Sequence, residues 1–175
     1  MDELLHLPLR LAPNRVYRFY KGGALMDRFR GLPNPEDTMF PEDWVGSATP
    51  AINPPEHTYE GEGLSTVEVG GQAYVIADLL KERPEDVAGP SIVERYGVTT
   101  ALLVKLLDAG SRLPVHVHPT RDLARQIFDS QFGKAEAWYI AATRQIEGGP
   151  SPRVWLGLRE DTSPEQLRSW IETQD

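Results

Sequence analysis

The sequence predicts a mainly β fold with a few short helices, and three features carry that prediction. Leu113-Pro114-Val115-His116-Val117-His118 alternates along the chain, Gly133 to Tyr139 alternates with the same period, and the runs 66–69 and 72–77 flank a Gly70-Gly71 pair. A period of two is the signature of a strand with two distinct faces. A Gly-Gly pair between two such runs can take the positive φ angles of a type I′ hairpin turn.

Each element follows from local chemistry. Arg15 to Tyr20 reads as a strand with mixed faces, ended by Gly22-Gly23. The proline-rich stretch from Pro33 to Pro55 reads as irregular. After the hairpin, 78–82 and 91–96 read as short helices separated by Pro84 and the Gly89-Pro90 break. Thr99 to Leu107 is β-branched and aliphatic, which predicts a buried strand leading into the histidine segment. Thr120 is placed to cap a helix bearing Leu123, Ile127 and Phe128 on one face. Arg153 to Leu158 is a last strand candidate. The C-terminal stretch reads as a helix with Ser163 as N-cap, Pro164 in the first turn and Gln166 completing a capping box. Its Leu167, Trp170 and Ile171 form an apolar stripe that needs a partner, so association with itself or another chain is expected.

Bulk composition bounds the function. The chain has 175 residues, 40% of them hydrophobic, a formal charge of -8 and no cysteine. One globular domain is expected over 1–175. The negative charge argues against nucleic acid or an acidic membrane surface as the principal partner. Zero cysteines excludes disulfides, thiolate zinc sites and cysteine nucleophiles, and suits a reducing, cytoplasmic setting. No apolar run approaches ~20 residues, so no membrane span is expected. Eight acids and no Lys or Arg lie between Glu36 and Glu68, a run whose Pro, Gly and Thr content reads as a solvated surface loop. The Gly-Gly pairs at 22, 70 and 148 lack the strand, glycine and lysine context of a phosphate loop or dinucleotide fingerprint.

The chemistry concentrates in the two alternating segments. In a strand, His116 and His118 share one face about 6.6 Å apart, with Val115 and Val117 opposite. Lys134, Glu136 and Trp138 share one face of the second segment. Zinc accepts imidazole nitrogen and carboxylate oxygen at about 2.0 to 2.2 Å, and a catalytic site typically keeps three protein ligands with one position open. His116, His118 and Glu136 make such a set. The plainer alternative is that both histidines line the wet face of a sheet.

The surrounding residues separate these alternatives. Gly110, followed by five residues and then His116-Val117-His118, opens as the first cupin motif does. The cupin glutamate three or four residues after the second histidine is missing, Asp122 being the only acid near that position, and a short helix stands there instead. Within the cupins the chain resembles the type I mannose-6-phosphate isomerases, in which a Val-His-Pro turn and a helix precede Gly-Lys-x-Glu-x-Trp-Tyr. Here these are Val117-His118-Pro119 and Gly133-Lys134-Ala135-Glu136-Ala137-Trp138-Tyr139. Pro13-Asn14-Arg15-Val16-Tyr17-Arg18 with Gly22-Gly23, Glu42-Asp43-Trp44-Val45-Gly46-Ser47, and Leu102 to Ala109 resemble family segments in family order.

The resemblance implies a cupin-type double-stranded β-barrel, or jelly roll, complete or lacking its second half. It implies reversible conversion of mannose 6-phosphate to fructose 6-phosphate by proton transfer through an enediol, with a divalent metal, zinc being favoured. Lys134 and Glu136 become the catalytic candidates, and Lys105 and Lys134 the candidates for holding the sugar phosphate. For Lys134, stabilising an enediolate oxygen, exchanging protons and pairing with a nearby acid all remain open. Trp44 and Trp138 are expected in packing, and Arg112, Arg121 and Arg125 on a solvated face. The competing function is a non-catalytic metal-binding cupin for a sugar or sugar phosphate.

The chain also departs from the family pattern. Glutamine is the usual first ligand where this chain has His116, and serine is frequent where it has Pro114, which offers neither hydroxyl nor backbone donor. No second cupin motif, with its further histidine ligand, and no segment with the catalytic arginine follow Tyr139. The chain is therefore expected to be the N-terminal portion of a longer isomerase, with His57 or His6 as the candidates to replace the missing ligand.

Overall fold

The computed structural model describes residues 8–149 and 151–174. The chain divides into two compact units, Met1–Ile140 and Ala141–Asp175. His6 lies outside the described residues.

The first unit is built around an antiparallel sheet of β1 (Arg15–Val16), β2 (Glu42–Val45) and β5 (Val104–Leu107), in the order β1-β2-β5. Trp44 stands opposite Lys105 and Glu42 opposite Leu107 in the β2–β5 register. A second sheet is the hairpin of β3 (Thr66–Val69) and β4 (Gln72–Val75). Gly70 and Gly71 both take positive φ, 59° and 80°. That is the conformation the type I′ turn demands and the one that side chains resist.

Helices fill the connections. Short α1 (Ala24–Phe29) follows Gly23, and α2 (Ile76–Glu82), α3 (Pro84–Ala88) and α4 (Pro90–Tyr96) run in succession after the hairpin. Proline opens both α3 and α4, where its missing N–H costs no helical bond. Val67, Ile76 and Leu79 form an apolar cluster between hairpin and α2, covered by Leu9, Leu11, Val69, Tyr74 and Val87. α5 (Arg121–Phe128) starts at Thr120, whose hydroxyl accepts the Leu123 N–H. In the second unit, α6 (Pro164–Thr173) starts at Ser163, whose hydroxyl accepts the Gln166 N–H. Both caps stand where the sequence predicts them. Ile171 is 62% exposed, so the apolar stripe of α6 is open on that side.

Several expected strands are shorter or absent. Only Arg15–Val16 of the first is paired, because the Tyr17 N–H turns to the Glu62 carboxylate and the Arg18 N–H to the Met39 carbonyl. The run 72–77 changes to helix at Ile76. The run 99–107 is strand only from Val104, since Ala101 adopts φ 51° within a turn closed by Thr99 and Thr100 hydroxyls. The stretch from Pro33 to Pro55 is less irregular than its prolines suggest, for it contains β2. Residues 113–118, 133–139 and 153–158 form no strand. A strand is defined by a ladder, and alternation supplies two faces without supplying the neighbour that takes the backbone bonds. Two small antiparallel sheets with several helices are thus what the described residues form, and a closed barrel is not among them. No helix among the described residues is long and apolar enough to cross a membrane.

The reading of the acidic run as solvated surface is corrected at two positions. Glu42 and Asp43 are buried. Glu42 Oε1 accepts the Tyr20 hydroxyl at 2.8 Å and lies 3.2 Å from Arg18 Nε. Its Oε2 accepts the Trp44 indole N–H at 2.7 Å and lies 3.4 Å from Lys105 Nζ. Asp43, on the opposite strand face, pairs with Arg30 and accepts the Asn14 N–H. The neutralising cations are distant in sequence, so a scan for local charge misses them.

Burial alone raises the Glu42 pKa, but its hydrogen bond from Trp44 and the charges of Lys105 and Arg18 outweigh it and hold the carboxyl below its ordinary value. The Tyr20 hydroxyl is pushed well above its ordinary value, by burial first and the Glu42 charge second. A carboxyl depressed in the folded state contributes stability above its unfolded pKa and loses it as pH falls through the folded one. Glu42→Gln is therefore expected to cost about 3 kcal/mol at pH 7, because two cations lose their partner. Urea unfolding of both proteins checks this, and the gap between them should shrink as pH falls below 4.5.

Candidate metal centre

The three candidate ligands, His116, His118 and Glu136, lie between Gly110 and Tyr139, in the first unit. The chain enters from β5 and is pinned before it reaches the histidines. The Asp108 N–H donates to the Pro41 carbonyl at 3.0 Å and the Gly110 N–H to the Lys21 carbonyl at 2.8 Å. The Asp108 carboxylate accepts the N–H groups of Gly23 and Leu25, capping α1. The histidine segment thus leaves a fixed point although it makes no ladder of its own.

After His118 the chain detours through α5 and comes back. Asp129 ends the helix in the left-handed region at φ 50°, and the Ser130 N–H returns to the Ala124 carbonyl at 3.2 Å. Gln131 and Phe132 then tie the returning chain to α4. The Gln131 side-chain amide donates to the Tyr96 carbonyl at 3.0 Å, and the Phe132 ring centroid lies 5.6 Å from that of Tyr96. The Lys134 N–H donates to the Pro119 carbonyl at 3.2 Å, closing the detour. Glu136, eighteen positions on from His118 in sequence, is brought back beside it.

His116, His118 and Glu136 offer one ligand atom each, all within 4.8 Å of one another. His118 Nε2 is 3.5 Å from Glu136 Oε2, and both side chains are 23% exposed. The two imidazole centroids are 4.9 Å apart. His116 Nδ1 lies 3.2 Å from the Pro114 carbonyl oxygen. Ligand atoms held tetrahedrally around zinc at about 2.1 Å stand about 3.4 Å apart, so the His118–Glu136 spacing already suits a shared ion.

One atom supports that fit independently. His118 Nε2 is buried and has no hydrogen-bond partner. An orphaned buried nitrogen is costly unless something else takes its lone pair, and a divalent cation between it and the carboxylate does so. Desolvation, then the Lys134 charge and His116, lower the His118 pKa, while Glu136 and a hydrogen bond involving the Lys134 backbone oppose them. The imidazole is therefore neutral at pH 7, the form that ligates.

The remaining candidates are placed differently. Lys134 is near enough for its charge to act on His118. Lys105 is held in β5 by Glu42 and stands over the Trp44 ring at 5.8 Å, so in this structure its negative partner comes from within the chain. Arg18 covers the same ring at 5.0 Å. Trp44 is buried, as expected of a packing residue, whereas Trp138 is 53% exposed and does not pack as expected. Arg125 pairs at 3.8 Å with Asp122 and both are exposed, in line with a solvated face. His57 is stacked on Tyr17 with centroids 4.2 Å apart and is not in the ligand group. The cluster of Arg18, Glu42 and Tyr20 was not singled out in the sequence. Its only local signal is the shared parity of Glu42 with Trp44 in a short strand.

Zinc titration is expected to give one site per chain, with at least tenfold weaker binding in His118→Ala and in Glu136→Ala, read by calorimetry. Because protons compete for imidazole, affinity should fall as pH is lowered through the His118 titration, which lies below the ordinary histidine value of 6.5. Equal affinity in the variants would remove these residues from the site.

No protein-family model matches the chain, and no solved structure matches it. Curated proteins do. A protein of Bacillus subtilis (strain 168) named probable mannose-6-phosphate isomerase GmuF is 35% identical over 169 residues, 96% of this chain and 46% of its own length. A mannose-6-phosphate isomerase of Streptococcus mutans serotype c is 29% identical over 168 residues, again 96% of this chain and 46% of its own. The resemblance carried by the residues around the site is thus a resemblance along the chain: over nearly its whole length it is similar to the mannose-6-phosphate isomerases, and it spans about half the length of these curated relatives.

Proposed function

We propose that this chain carries the metal-binding part of a mannose-6-phosphate isomerase site, interconverting mannose 6-phosphate and fructose 6-phosphate. The observation that carries the reading is the convergence of His116, His118 and Glu136 around an orphaned imidazole nitrogen. The relatives' names supply the substrate. The cysteine-free composition suits a cytoplasmic enzyme. The cupin-like domain read over 1–175 is, on this proposal, the N-terminal portion of the complete enzyme.

His116, His118 and Glu136 would hold the ion, zinc by preference, since two imidazoles and a carboxylate suit it. When bound, such an ion polarises carbonyl and hydroxyl oxygens and so lowers the cost of developing negative charge. Isomerisation moves a proton between C1 and C2 and shifts a second between the two oxygens. Lys134, beside His118, offers a cation to the oxygen that gains charge, and a proton donor for it. Glu136 would complete the ligand set. Lys105 would meet the substrate phosphate by exchanging its Glu42 partner for it, with Arg18 left to neutralise Glu42.

A second reading is favoured by one observation. Lys105 is already paired with Glu42 in the structure. That pairing suits a non-catalytic metal cupin that binds a sugar or sugar phosphate.

A coupled assay for fructose 6-phosphate on protein from its native source separates the two. The isomerase reading predicts turnover that is lost with chelator and restored by zinc. Lys134→Ala should lower it about a hundredfold or more while zinc stays bound. Metal-dependent binding of mannose 6-phosphate without turnover would establish the non-catalytic reading instead.

A further inference from the structure

The metal-ligand set is assembled by a return of the chain, and the return is tight at one residue. A side-chain carbon at Gly133 would lie 2.8 Å from the Pro119 carbonyl oxygen, 2.9 Å from the Arg121 nitrogen and 3.0 Å from the Thr120 carbonyl carbon. All three are backbone atoms at the start of α5, so no flexible side chain can swing aside to admit it. Gly133 is not among the glycines with positive φ. Its missing side chain is therefore needed for space and not for backbone freedom, which separates it from the turn glycines at 70 and 71.

What this close approach positions is Glu136. The Lys134 N–H to Pro119 carbonyl bond follows at once, and three residues beyond Gly133 the Glu136 carboxylate stands 3.5 Å from His118 Nε2. His118 itself adjoins Pro119. The two ligands are thus fixed to the two sides of one backbone-to-backbone seam, and the spacing of the seam sets the spacing of the ligands.

We infer that Gly133 is a positioning residue for the metal centre: its backbone docks on Pro119, Thr120 and Arg121, and this seam holds Glu136 at ligating distance from His118. The inference rests on the metal-site reading above. It adds that metal affinity is governed by a residue that touches no ligand atom.

The test uses the full chain and zinc chloride alone. Gly133→Ala keeps its backbone region and adds one carbon, so the seam must open by several tenths of an ångström or more. Zinc affinity by calorimetry is expected to fall about tenfold to a hundredfold, the range seen when groups that orient ligands are removed. The metal-free melting temperature should move by only a few degrees. In a Glu136→Ala background the same substitution should change affinity less than about threefold, because the ligand it positions is gone. Unchanged affinity in Gly133→Ala, or an equal loss in both backgrounds, would overturn the inference.

Where Gly133→Ala does not fold, hydrogen exchange on the unaltered chain decides. Zinc should slow exchange of the Lys134 amide, which lies in the seam, and no slowing would count against a coupled seam. A native chain that binds no zinc removes the site reading with this one. A native chain that binds zinc while Gly133→Ala binds it equally well removes only this one.

Discussion

A carboxylate enclosed in a sheet has to be matched by donors and cations, and in this chain the matching of Glu42 organises the first unit. Four side chains from positions 18, 20, 44 and 105 converge on it, which joins β2 to β5 and to the chain following β1. Apolar packing alone would tolerate small slips of such short strands. A buried ion cluster tolerates them poorly, because displacement by one residue turns Glu42 and Trp44 to the other face and strands Lys105 and Arg18. Trp44 completes the arrangement by presenting its ring to both cations while its indole N–H serves the carboxylate.

That constraint reaches the candidate metal centre along the backbone. β5 is fixed by Lys105, and the chain leaving it is held at Asp108 and Gly110 before it passes to His116. The second ligand segment is fixed independently, through α5 and the anchoring of Gln131 and Phe132 on Tyr96. Two supports of different origin therefore meet where His118 faces Glu136. Irregular backbone can carry an ordered site when both its approaches are anchored, and ladder pairing is then not required for the ligands themselves.

How far the sequence revealed this depends on whether a feature is local. The Gly70-Gly71 hairpin and the Thr120 and Ser163 caps were legible because the geometry of each is settled within a few residues. The proximity of His116, His118 and Glu136 was legible because spacing within each segment and the family-like motifs pointed to the same three residues. The burial of Glu42 and Asp43 was not, since an acidic run without nearby cations looks solvated until Arg18, Arg30 and Lys105 are brought in from elsewhere. The strands expected over 113–118 and 133–139 failed for a related reason: alternation shows which residues share a face but not whether a neighbouring strand is present. Trp138 shows the same limit, an aromatic suited to packing that stays 53% exposed.

If one ion is held jointly by two imidazoles and one carboxylate from segments that α5 brings together, X-ray absorption at the zinc edge of the loaded chain should show it. The expected spectrum has a low-coordinate first shell of nitrogen and oxygen at about 2.0 to 2.2 Å, with the outer-shell scattering of two imidazole rings. A six-coordinate shell of oxygen alone, without imidazole scattering, would rule out this joint ligation.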